Sequence, residues 1–162
     1  MKKIQPWLGL AARLILGRTL IAAGYLKFDE LDKSQMAVRA YEMLPIPLAN
    51  FLGIVVPFFE LAVGILLVIG AGVRISAALS AILMIAFMIA ITQAWARGLS
   101  IDCGCFGGGG QVPEGEANYL TPLLRDTGLA LLGIYLTLFP HTKFGLDKKP
   151  QSATQIGEGT HG

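Results

Sequence analysis

The sequence predicts an all-α integral membrane protein, a four-helix bundle with a short interfacial helix between spans one and two. Three observations predict it. Of the 162 residues 54% are hydrophobic and only 15% charged, whereas a water-soluble domain carries about a quarter charged residues. The apolar residues gather into four runs close to the roughly 20 residues that cross a hydrocarbon core. Most of the charges, prolines and glycines lie outside the runs. No period of 20 to 50 residues recurs, which excludes a solenoid. The net charge of +2 is too small to point to nucleic acid. One membrane domain is expected over residues 1–142, followed by a polar, disordered cytoplasmic tail over 143–162.

Span one runs from about Trp7 to Leu26 and holds Arg13 and Arg18. Lys2 and Lys3 before an apolar run would also suit a cleaved signal peptide. The run is longer than a signal core and is broken by two arginines, so the helix is expected to be retained. From Lys27 to Ala49 charges (Asp29, Glu30, Asp32, Lys33, Arg39, Glu42) mix with Met36, Val38, Tyr41 and Met43. Such a segment cannot span, and a helix lying at the interface is expected. Pro45 and Pro47 then punctuate the chain.

Span two covers about Asn50 to Ile69, with Pro57 and Glu60 near its middle. Gly70-Ala71-Gly72 is a tight turn, and span three, about Val73 to Ala96, completes an antiparallel hairpin. From Arg97 to Leu120 the composition shifts to glycine and acid, and four glycines in a row, Gly107 to Gly110, oppose a helix. Span four covers about Thr121 to Phe139, with Pro122 suited to its first turn and Arg125 and Asp126 at its entry.

A charge at mid-bilayer costs a few kcal/mol unless it is paired. Arg13, Arg18 and Glu60 are therefore expected to face the bundle interior, with Glu60 paired to Arg13 or Arg18. Such a cluster serves either as an internal clamp or as the lining of a cavity for a quinone head group, an anion or a proton. Pro57 is expected to kink span two and to free a carbonyl near these charges. Trp7, Trp95 and Tyr119 suit interfacial anchoring.

Four spans put both termini on one side, with Lys2, Lys3, Arg74, Lys143, Lys148 and Lys149, against Lys27, Lys33, Arg39 and Arg97 on the other. The positive-inside rule then places the termini in the cytoplasm. The Cys103-Gly104-Cys105 loop would face the periplasm or exterior, where disulfides persist. Glycine between the cysteines lets the backbone bend enough to close a disulfide. So small a ring adds little stability and is easily reduced, which suits thiol exchange. The glycine run would leave a partner free to reach the sulfurs. Arg97 would lower a thiol pKa and Asp102 would raise it. A static clip, or two reduced thiols shaping a turn, is the competing reading. No metal is expected, because two thiolates supply half a tetrahedral site and His141 and His161 fall on the other side.

The chain resembles the DoxX-like membrane proteins, in particular the methylamine utilisation protein MauE branch. Carrying the resemblance are Arg13, Ala23-Gly24-Tyr25-Leu26-Lys27, Tyr41 to Pro45, and Pro57-Phe58-Phe59-Glu60-Leu61 with Gly64. Asp102-Cys103-Gly104-Cys105-Phe106-Gly107 and Arg125-Asp126 complete it, over about residues 8–140. The resemblance implies a four-span protein of the bacterial inner membrane linked to periplasmic redox maturation, a thiol-disulfide oxidoreductase component. Cys103 and Cys105 would be its thiol pair, Asp102, Gly104, Phe106 and Gly107 their supporting loop, and Arg13 and Glu60 family membrane charges. Membrane enzymes that pass electrons from a client to a quinone typically use two cysteine pairs. One pair here implies either direct access for a quinone, the candidate cofactor, or a periplasmic thioredoxin-like partner or client protein that supplies the second. A homo- or hetero-oligomer is compatible with this. The rival classes are a non-catalytic assembly or chaperone subunit and a small-molecule transporter.

Overall fold

The structure, a computed structural model, describes residues 5–104 and 108–140. Cys105, Phe106, Gly107 and the 143–162 tail lie outside the described residues. The chain runs α1 (Gln5–Asp29), α2 (Leu31–Ala40), α3 (Ile46–Ile69), α4 (Val73–Ala96), β1 (Ile101–Asp102), β2 (Gly110–Gln111) and α5 (Leu120–Leu138). The protein is thus an all-α membrane protein. Among the described residues, Pro6–Asp29, Ile46–Ile69 and Val73–Ala96 are long and apolar enough to cross a bilayer. α5, 19 residues long and carrying Arg125 and Asp126, is the more polar fourth long helix.

α3 starts at Ile46, not at Asn50. Pro45 is its N-cap and Pro47 lies in its first turn, where a missing N–H costs no helix bond. The two prolines therefore open the helix instead of preceding it. Gly70 and Gly72 both take left-handed backbone (φ 78° and 58°), making the tight hairpin turn to α4.

α1 packs along α3, and α4 along α5, each pair antiparallel and close. The first contact depends on glycine. A Cβ on Gly17 would stand 3.0 Å from the Gly64 carbonyl, and one on Gly64 2.9 Å from the Gly17 carbonyl. Leu16 and Leu20 of α1, Val63 and Leu67 of α3, Ala77 and Met84 of α4, and Leu129 and Leu136 of α5 form the shared core.

α2 folds back on the first third of α3. Its buried face is small, made of Ser34, Ala37 and Ala40, so the backbones come close. Ser34 Oγ donates to the Gly53 carbonyl at 2.7 Å. That carbonyl lacks its helical donor because Pro57, four residues on, has no N–H. Pro57 does free a carbonyl, but α2 takes it up and not the buried charges.

The exterior reverses the usual pattern of a soluble protein. Ile15, Phe51, Ile75, Ile82, Leu124 and Leu131 are exposed, while Arg13, Lys27, Glu60, Ser80 and Asp126 are buried. Water would not tolerate so extensive an apolar surface; lipid does.

Candidate functional site

Two places gather the sequence-predicted site residues. The first is the connection between α4 and α5. Instead of a slack turn, the structure has a two-stranded antiparallel ribbon, with Ile101 opposite Gln111 and Asp102 opposite Gly110. A second small core of Ala40, Ala94 and Ile101, joined by Tyr41, Leu99 and Tyr119, fastens its base. The Tyr119 hydroxyl donates to the Leu99 carbonyl and accepts the Ile101 N–H, and its ring stacks on Trp95. Tyr119 thus does more than anchor at an interface.

Cys103 follows β1 directly and is half-buried. Its carbonyl accepts the Tyr41 hydroxyl at 3.0 Å, and Asp102 Oδ1 accepts the Gly104 N–H at 3.3 Å. Gly104 (φ 64°) and Gly109 (φ 145°) lie against Ala37 of α2 so closely that a Cβ on either would collide with the Ala37 methyl. At its described residues the glycine-rich segment is thus seated against α2 and not left free in the way its composition alone predicts. The glycines allow close approach to α2 as well as bending. Cys105, Phe106 and Gly107 fall outside the described residues, and with them the pairing of the two sulfurs. Arg97 is engaged elsewhere: it donates to Glu42 Oε2 at 3.1 Å and to the Tyr41 carbonyl at 3.3 Å.

The second place is the helix interior. Glu60 is not paired with Arg13 or Arg18. Lys27 Nζ donates to both its oxygens, at 2.8 and 2.9 Å, with both side chains almost wholly buried. Lys27 Nζ also stands 4.8 Å from the centroid of the Phe87 ring. The reason is register. Gly17 lies level with Gly64, so Glu60 is one turn to one side of that contact and buried Arg13 one turn to the other, about 11 Å apart along the axis. Arg18 faces outward. Side chains on a helix lean toward its N-terminus, so in this antiparallel pair Lys27 and Glu60 lean toward each other's level.

The sequence reading missed Lys27 as a site residue by assigning it to the loop. A signal was present: Leu16, Leu20, Ala23 and Lys27 recur at helical spacing, and all four are buried. Arg125 and Asp126 adjoin this pair from α5. Arg125 Nε and Nη2 donate to Asp126 Oδ1 at 2.9 and 2.7 Å. Glu60, Arg125 and Asp126 line one crevice in the bundle.

A family model described as methylamine utilisation protein MauE matches residues 5–139. The chain belongs to the MauE family. A MauE-family relative, the methylamine utilization protein MauE of Paracoccus denitrificans, is 32% identical over 129 residues, covering 79% of this chain and 69% of the relative. No solved structure matches. The family match takes in both the Cys103 ribbon and the Lys27–Glu60 and Arg125–Asp126 pairs.

Proposed function

We propose that this MauE-family protein is a membrane component of thiol-disulfide exchange in extracytoplasmic protein maturation, serving methylamine utilisation as its relative's name indicates. In this reading α5 is the fourth span and the termini lie in the cytoplasm. The cysteine ribbon then faces the periplasm, and the family sits within the wider DoxX-like group. Cys103 and Cys105, as a dithiol, reduce the disulfide of a thioredoxin-like partner or client. Two sulfur–hydrogen bonds break, one disulfide forms here, and two electrons and two protons pass to the partner's sulfurs. With a quinone as acceptor, the same electrons and protons would yield the quinol.

The observation that carries this reading is the placement of Cys103 at the start of the ribbon's loop, outside the helices and only half-buried. Exchange requires a sulfur that another protein can approach. The test is trapping. Cys105→Ser and Cys103→Ser variants, expressed and folded, are expected to yield a mixed disulfide with a periplasmic protein in at least one case. If neither variant traps a partner, the exchange mechanism is overturned.

One observation favours a second reading. The ribbon is seated on α2 and the Cys103 carbonyl is tied to Tyr41, as a loop that docks a client and uses its cysteines as a clip would be. Full maturation activity in a Cys103→Ser, Cys105→Ser double variant would select this assembly-subunit reading.

A further inference from the structure

We propose that the crevice between the four long helices is a proton-binding site, in which Asp126 takes up and releases a proton through a single water shared with Glu60. The inference is independent of the cysteines. Asp126 is 1% exposed. Its Oδ1 is saturated by two N–H groups of Arg125, but its Oδ2 is buried and has no hydrogen-bond partner among the described residues. A buried acceptor left in that state costs about 1–3 kcal/mol, so the position calls for a donor.

The crevice supplies the space for one. Asp126, Arg125 and Glu60 line it together with Thr19, Met84 and Phe87, and it has room for roughly one water molecule. A ring-bearing ligand is too large for it. Water is the donor that fits, and a water between two carboxyl groups is a path for a proton.

The charges around Asp126 come from three helices. Lys27 of α1 is bound to Glu60 of α3, and Arg125 is the neighbour on α5 itself. α4 contributes the uncharged Met84 and Phe87. Two cations thus face two carboxylates, and the set is balanced before a proton arrives. Both Glu60 oxygens are held by Lys27, while Asp126 keeps one oxygen open, so Asp126 is the group able to accept the proton. Arg125 is less buried than Asp126, with 29% of its side chain exposed, and marks the way in.

An apolar carbodiimide, dicyclohexylcarbodiimide, couples to protonated carboxyl groups within membranes and reads this directly. The wild-type chain in lipid nanodiscs is treated across a pH series and the adducts are located by mass spectrometry. Asp126 is expected to be modified, with a yield that falls several-fold from acid to alkaline pH. Glu60→Gln is expected to shift that profile, because it alters the far end of the shared water; Glu60→Asp serves if Glu60→Gln does not fold. An unmodified Asp126 at every pH, a yield indifferent to pH, labelling confined to Glu60, or a profile unchanged by the Glu60 variant overturns the proposal.

Discussion

The Ser34 hydroxyl donates to the carbonyl of Gly53 at 2.7 Å, filling the place of the N–H that Pro57 does not have. A side chain of one helix thus completes the backbone of another. Ser34→Ala is expected to cost about 1–3 kcal/mol, the penalty of a buried unsatisfied acceptor. In a Pro57→Ala background, where position 57 regains its N–H, the same change should cost under about 1 kcal/mol. Denaturant unfolding of the four proteins of this cycle in mixed micelles measures the difference; equal costs in both backgrounds would refute the compensation.

Lys27 and Glu60 form a pair with almost no solvent access. Lys27→Met alone strands a buried carboxylate and is expected to destabilise the fold by about 3–5 kcal/mol. Adding Glu60→Met removes the stranded charge and should recover most of that loss. The same unfolding measurement checks it, and a double variant no more stable than the single would show that the pair does not act as a unit.

Gly109 approaches Ala37 with a backbone at φ 145°. Gly109→Ala introduces a methyl into occupied space and is expected to cost about 1–3 kcal/mol through overpacking, lifting the ribbon from α2. The alkylation rate of Cys103, measured with Cys105 changed to Ser, should rise several-fold, and Ala37→Gly should reverse part of the increase.

Tyr41→Phe removes the hydroxyl that holds the Cys103 carbonyl. A loss of about 0.5–1.5 kcal/mol is expected, with faster Cys103 alkylation and no change in helical content by circular dichroism.

The helical plan was legible because lipid imposes a simple rule: long apolar runs must satisfy their own backbone as helices. Trp7 to Leu26 and Val73 to Ala96 follow it, and so does the Gly70–Gly72 turn. The start of α3 was less legible. Pro45 and Pro47 read as interruptions, yet the same ring that ends a helix also suits its first turn. The partner of Glu60 was not legible, because the Gly17–Gly64 contact that sets the register of α1 against α3 is a long-range fact. The loop was misread for a related reason. A run of glycines looks slack in one dimension; here Gly104 and Gly109 are the means by which backbone meets Ala37. Which helix a loop rests on is a long-range fact that local composition does not contain.

The cysteine ribbon grows from the α4–α5 half of the bundle, but its seat, Ala37, belongs to the α1–α2–α3 half. Glu60 of the α1–α2–α3 half and Arg125 and Asp126 of the α4–α5 half line one crevice between the halves. The loop after β1 is a bridge between the halves: its strands are joined to α4 and α5, and its glycines rest on α2.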